Sequence, residues 1–206
     1  AVSAQAKAWA DKGNKVYPFH LGDINLPTPG NIREATNRYM NDAKNGYCAS
    51  EGIPELRLAL AHDVGSKRGV EYALDNVVIQ PGGKPTIWKF LATVMNEGDE
   101  ALYPNPGYPI YESQIGYQGG TPVPYSYNET DTGFEIDMEK LRNSITDKTT
   151  ILIYNNYQNP LSASSSLEEM QSLAALATEH DLWVLSDDAY FEIRYTDRSP
   201  RSIVSI

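Results

Sequence analysis

Two short runs in the second half of the chain, Ile151-Leu152-Ile153 and Leu182-Trp183-Val184-Leu185, are apolar without a break. A strand with one wet face alternates apolar and polar residues, so unbroken apolar strands call for helices on both faces of a mostly parallel sheet. The segment between them has helical periodicity. Leu167, Met170, Leu173, Ala174 and Ala177 form one apolar stripe, and Ser166 and Glu169 stand at the spacing of a capping box. Strand, helix and strand in that order constrain the chain to the α/β class.

The alternation extends toward the N-terminus. Strands are expected at Val77–Ile79, Ala101–Tyr103 and Thr150–Tyr154, helices at Lys84–Asn96, Tyr108–Gly116, Asp137–Ser144 and Leu167–His180, and an extended segment near Thr121–Tyr127. Before them come a helix from Ala1 to Lys12 stopped by Gly13, a strand Val16–Leu21 and an irregular loop Gly22–Gly30. Helices at about Asn31–Lys44 and Pro54–Lys67 follow, the second opened by Pro54 and ended by Gly69. The expected architecture is a three-layer α/β sandwich around a mostly parallel sheet. Ser202–Ile206 reads as a short edge strand or, the preferred expectation, as the start of an element continued in a longer chain.

With 206 residues and 41% hydrophobic content, the chain can bury one substantial core, or one domain plus part of another. Seventeen basic against twenty-seven acidic side chains give a formal charge of -10, which argues against nucleic acid or an anionic membrane as partner and favours a small molecule. The lone Cys48 forms no internal disulfide, and no apolar run approaches the roughly 20 residues that span a bilayer. A cytoplasmic location is expected. Residues Ala1–Gly13 fit neither a signal nor a clear transit peptide, and the absence of an initial Met suggests cleavage.

Several residues that can carry chemistry fall just after predicted strands. Gln80-Pro81-Gly82-Gly83-Lys84-Pro85-Thr86 joins a strand to a helix, where free backbone N–H groups can cradle a phosphate. Its glycine spacing matches neither a Walker loop nor a GxGxxG fingerprint, and such a turn can also be a plain connection. In Pro104-Asn105-Pro106-Gly107-Tyr108-Pro109, the prolines would hold Tyr108 where it can stack on a flat heterocycle or simply pack at a turn. Asn159, in Asn159-Pro160, offers an amide donor to a phenolate oxygen, and the Tyr190 hydroxyl could reach the same oxygen; a turn-starting Asn-Pro and a packed Tyr are the plainer readings. Asp187, beyond the strand Leu182–Ser186, can keep a pyridinium nitrogen protonated, or it can cap a helix, with Asp188 competing for either task. Taken in order, phosphate turn, aromatic ring, amide, carboxylate and hydroxyl line the edge of one sheet where ligands bind, and together they point to pyridoxal 5'-phosphate (PLP).

These segments resemble the large domain of fold type I PLP-dependent enzymes, specifically the class I and II aminotransferases related to aspartate aminotransferase, over essentially the whole chain. The resemblance implies that Gly22 lies near the substrate carboxylate and that Tyr47 reaches the phosphate of the neighbouring subunit's cofactor, hence a homodimer with shared sites. It assigns Gly83 and Lys84 to the phosphate, Tyr108 to the pyridine ring, Asn159 and Tyr190 to the phenolic oxygen, Asn159 also to substrate, and Asp187 to the ring nitrogen. Asp187 and Tyr108 are the catalytic candidates, and no metal is expected. The family's Asn-Pro-Thr-Gly stands here as Asn159-Pro160-Leu161-Ser162. No lysine follows Lys148, so the Schiff-base lysine is absent from this sequence, as are the family's later arginines. Residues 1–30 would then be an entry segment belonging to the small domain or its linker, and 31–206 a large domain incomplete at its C-terminal end.

The implied activity is transfer of an amino group between an L-amino acid and a 2-oxo acid, with this chain inactive alone. A PLP-dependent lyase or synthase on the same fold and a non-catalytic, aminotransferase-like ligand sensor are the alternatives within the resemblance. A generic nucleotide-binding α/β module is disfavoured by the missing glycine fingerprint.

Overall fold

The computed structural model describes residues 2–19, 22, 24, 26–42, 45–193, 195 and 200–206. They fall into two compact units, Ala1–Tyr47 and Cys48–Ile206. The sequence reading divides the chain earlier, at 30/31. The first unit holds helices α1 (Val2–Ala10) and α2 (Gly30–Asn41), neither of which has a buried residue. The strand expected over Val16–Leu21 falls partly outside the described residues, and Val16–Phe19 form none.

The second unit is built from α3 (Pro54–Arg68), α4 (Gly83–Val94), β1 (Glu100–Pro104), α5 (Ile110–Tyr117), β2 (Thr121–Tyr125), β3 (Tyr127–Thr130), β4 (Gly133–Ile136), α6 (Met138–Asn143), β5 (Thr149–Tyr154), α7 (Leu167–Glu179) and β6 (Trp183–Ser186). Four strands make a parallel sheet in the order β2-β1-β5-β6. Strand β2 sits at one edge, which accommodates Pro122 and Pro124 because a proline has no N–H to give to a second neighbour. A separate antiparallel hairpin, β3 with β4, was not expected from the sequence. Val77–Ile79 is extended at Val77 yet joins no ladder; Arg57 holds it by donating to the Val77 carbonyl at 2.7 Å, and the Ile79 N–H donates to the Glu51 carbonyl at 2.8 Å. Strand propensity there meets no neighbouring strand among the described residues. Ile203–Ser205 form a 3-10 turn, not an edge strand.

The unbroken apolar strands divide their side chains between two cores. Ala101 and Tyr103 of β1 and Ile151 and Ile153 of β5 pack with Ile87, Leu91, Tyr111 and Ile115 of α4 and α5. Leu102, Leu152 and Tyr154 point the other way, onto Leu141 of α6 and Met170, Leu173 and Leu176 of α7. Period-two alternation within runs that lack any polar residue thus yields the three layers, helices, sheet and helices. In β6, Leu185 belongs to the first face and Val184 to the second.

Candidate cofactor site

The alternation of β6 continues past its end and separates two adjacent carboxylates. Val184, Ser186 and Asp188 line a cavity of about 700 Å³ together with Arg68, Ala177 and Ser202. Asp187 turns to the opposite face, where its Oδ2 accepts the Tyr111 hydroxyl at 2.6 Å and its Oδ1 accepts the Ala189 N–H at 3.2 Å. This division gives the two acids different surroundings. Asp188 is taken up by Arg68, whose Nε and Nη2 donate to its Oδ2 at 3.1 and 2.8 Å. Asp187 keeps acceptor capacity, since each carboxylate oxygen has more than one lone-pair direction and its two donors are single.

The main chain of Asp187 is fixed as firmly as its side chain. Its N–H donates to the Tyr154 carbonyl at 2.8 Å, extending the pairing between β5 and β6, and its own carbonyl accepts Asn155 Nδ2 at 2.8 Å. Asn155 is buried, and its Oδ1 accepts the Asn159 N–H at 3.0 Å, so one side chain ties the Asn159 loop to Asp187. Gln158, also buried, donates Nε2 to the Pro106 carbonyl at 2.6 Å and accepts the Leu161 N–H at 2.8 Å, which ties the same loop to the one carrying Tyr108. Ser162 adopts φ 58°, the left-handed region that glycine enters without steric cost, so the turn keeps a glycine-like backbone despite the substitution of the family's glycine.

Tyr111 joins Tyr108 to Asp187. Its ring meets Tyr108 edge-on, with centroids 5.6 Å apart, while its hydroxyl reaches Asp187. Burial, then the Asp187 charge, push its phenol well above the usual tyrosine range, so it remains a protonated donor at any working pH. Gly107 must be glycine, because a Cβ there would collide with the Pro104 carbonyl oxygen. The phosphate turn begins at Gly82, φ 105°, which caps α4. The first turn of a helix leaves its N–H groups unpaired, and Pro85 has none to give, so Gly83 and Lys84 supply the free donors. A Cβ at Gly82 or Gly83 would meet nothing within 4 Å, which leaves open space over those donors. Gln114 of α5 donates to the Lys84 carbonyl at 3.2 Å and ties this turn to the helix that carries Tyr111.

The structure therefore brings Tyr108, Asn159 and Asp187 into one assembly of hydrogen bonds and an edge-to-face ring contact, with Gly83 and Lys84 linked to it through α5. Tyr190 stands in the Asp187 loop, about one-third exposed at 38%. Neither its hydroxyl nor the Asn159 side-chain amide has a partner among the described residues. Gly22 and Tyr47 belong to the first unit and are exposed. Tyr111, Asn155 and Gln158 escaped the sequence reading. The i, i+3 aromatic pair Tyr108 and Tyr111, and a polar run placed directly after a buried strand, were the available signals.

Free N–H donors, a ring-sized aromatic, a carboxylate with spare acceptor capacity and an unengaged amide fit a phosphorylated pyridine in donor set and in kind. Comparison with known proteins agrees. The profile of the family "Aminotransferase class I and II" matches residues 15–205. A probable aspartate/prephenate aminotransferase of Aquifex aeolicus is 32% identical over 95% of this chain and 50% of its own length, and an aspartate aminotransferase of Bacillus subtilis is 29% identical over 100% and 52%. The solved alanine aminotransferase of Pyrococcus furiosus superimposes with a TM-score of 0.92 at 29% identity, covering 99% of this chain and 52% of that one. The chain thus spans about half the length of these relatives. Members of this family use PLP. On its fold, its site and a match over nearly its whole length, this chain belongs to the class I and II aminotransferases.

Proposed function

We propose that the protein carries the cofactor half of a PLP-dependent aminotransferase that moves an amino group between an L-amino acid and a 2-oxo acid. The observation that carries this reading is Asp187, held at the end of β6 by Tyr111 on one carboxylate oxygen and by Asn155 and Tyr154 on its main chain. When bound, PLP supplies an electron sink for the carbanion left when the α-proton departs. Asp187 presents its carboxylate to the ring nitrogen, Tyr108 stacks on the ring, and Asn159 and Tyr190 donate to the phenolic oxygen. The Gly83 and Lys84 N–H groups hold the phosphate.

Gly22 and Asn159 are each assigned to substrate, Gly22 to its carboxylate, and Tyr47 to the phosphate across a homodimer; the exposure of Tyr47 suits a residue that serves a neighbour. A cytoplasmic location accords with the absence of any helix, among the described residues, long and apolar enough to cross a membrane. Relatives named for aspartate, prephenate and alanine suggest dicarboxylic and small amino acids as first substrates to try.

The test is Asp187→Ala in the complete protein, read by PLP affinity and by turnover of amino and 2-oxo acid pairs. Loss of nearly all turnover is expected, while Tyr108→Phe, which keeps the stack, has a mild effect. Normal turnover by the Asp187 variant overturns the assignment.

A further inference from the structure

The residue after Asp187 is built into a buried cluster that the cofactor does not need for contact. Asp188 receives four hydrogen bonds: Arg68 Nε at 3.1 Å, Arg68 Nη2 at 2.8 Å, Ser202 Oγ at 3.0 Å and Ser186 Oγ at 2.9 Å. Arg68 and Asp188 are each only 13% exposed at the side chain, and the guanidinium lies 4.0 Å over the ring of Phe191, itself buried. The Phe191 N–H closes the turn on the Asp188 carbonyl at 3.0 Å. Arg68 is the last residue of α3, 120 positions before Asp188, where a helix favours a cation. The cluster therefore grips the loop 187–191, which carries both Asp187 and Tyr190, from the sheet face opposite Tyr111.

We propose that Arg68 and Asp188 are positioning residues for the cofactor: their ion pair, stacked on Phe191, sets the backbone from which Asp187 and Tyr190 reach the PLP ring. The proposal rests on the PLP reading given above. Asp187 sits between two anchors of opposite kind, a phenol holding its carboxylate on one face and an arginine holding its neighbour on the other. Both Arg68 donors meet Oδ2 while the Ser186 hydroxyl holds Oδ1, so the Asp188 carboxylate is fixed at both oxygens by charge-assisted and neutral bonds. A nearby pair, Lys67 with Glu192 at 2.9 Å, is far more exposed and contributes little.

The experiment, made in the complete protein, compares the unaltered form with Arg68→Met, Asp188→Asn, the double variant and Lys67→Met. Two readouts are taken: the NMR signal of the Tyr111 hydroxyl proton bonded to Asp187 in the chain without cofactor, and the affinity for added PLP. Arg68→Met is expected to abolish or displace the hydroxyl signal and to weaken PLP binding roughly tenfold or more. The double variant recovers thermal stability, because it strands no buried charge, but neither the signal nor the affinity, because the pair that positions the loop is gone. Lys67→Met changes neither. If Arg68→Met fails to fold, Asp188→Asn, which keeps the two serine contacts, is read in its place and is expected to shift the same signal. An unshifted hydroxyl signal and unaltered PLP affinity in the folded Arg68 or Asp188 variant, with only thermal stability reduced, overturn the proposal. If the unaltered complete protein ignores PLP while Arg68→Met still loses the hydroxyl signal, the hold on Asp187 stands and the cofactor reading falls.

Discussion

Asp137 caps α6, accepting the Lys140 N–H on Oδ1 at 3.1 Å and the Lys140 ammonium on Oδ2 at 2.8 Å. The hydrogen bonds from Lys140, side chain first, lower its carboxyl below the ordinary aspartate range. A carboxyl lowered in the folded state contributes stability above its unfolded value and loses it as the pH falls through the folded one. The melting temperature of the protein should therefore exceed that of Asp137→Asn at neutral pH, with the difference closing in acid below the usual carboxylate range. A difference that persists unchanged in acid would remove the charge from the explanation. Single residues were only partly legible. Asp187 could be singled out because it follows an apolar strand, whereas its partner Tyr111 lies 76 positions away, a proximity that only the folded sheet creates.

Helix α7 was the most readable element, and its start shows where local patterning stops being sufficient. Ser166 does cap it, accepting the Glu169 N–H at 3.1 Å. The return half of the expected capping box is absent, because Glu169 turns its Oε1 to the Ile136 N–H of β4 at 2.6 Å. A tertiary partner has displaced the local one. Ser166→Ala should cost about 1 kcal/mol of unfolding free energy in denaturant titration. A change within error would mean that the link from Glu169 to Ile136 fixes the helix start unaided. The hairpin β3 with β4 went unread because its strands have four residues each, half of them exposed, so the apolar signature shrinks to Tyr127, Phe134 and Ile136. Val77–Ile79 was read as a strand because propensity reports the residues and not whether a neighbour is there to pair with.

At the scale of the molecule, the two cores on either side of the sheet make the fold. Leu173 on α7 and Leu152 on β5 are fully buried in the same cluster, so Leu173→Ala should lower stability by about 2 to 5 kcal/mol by equilibrium unfolding. A loss well below that range would mean that α7 settles into the space left behind. Layering and parallel pairing could be foreseen because strands without a polar residue leave few alternatives, while the division into compact units at Tyr47 and Cys48 could not, since no change in composition marks it. The opposite facing of Asp187 and Asp188 carries one more consequence. Which of the two acids meets Tyr111 depends on whether the count of residues along β6 is odd or even. Deleting or inserting one residue before Ser186 would leave both acids in the chain but exchange their sides, bringing Asp188 toward Tyr111 and turning Asp187 toward Arg68. Length changes in this strand are therefore tolerable only in steps of two, a constraint on the site's evolution that no single substitution would expose.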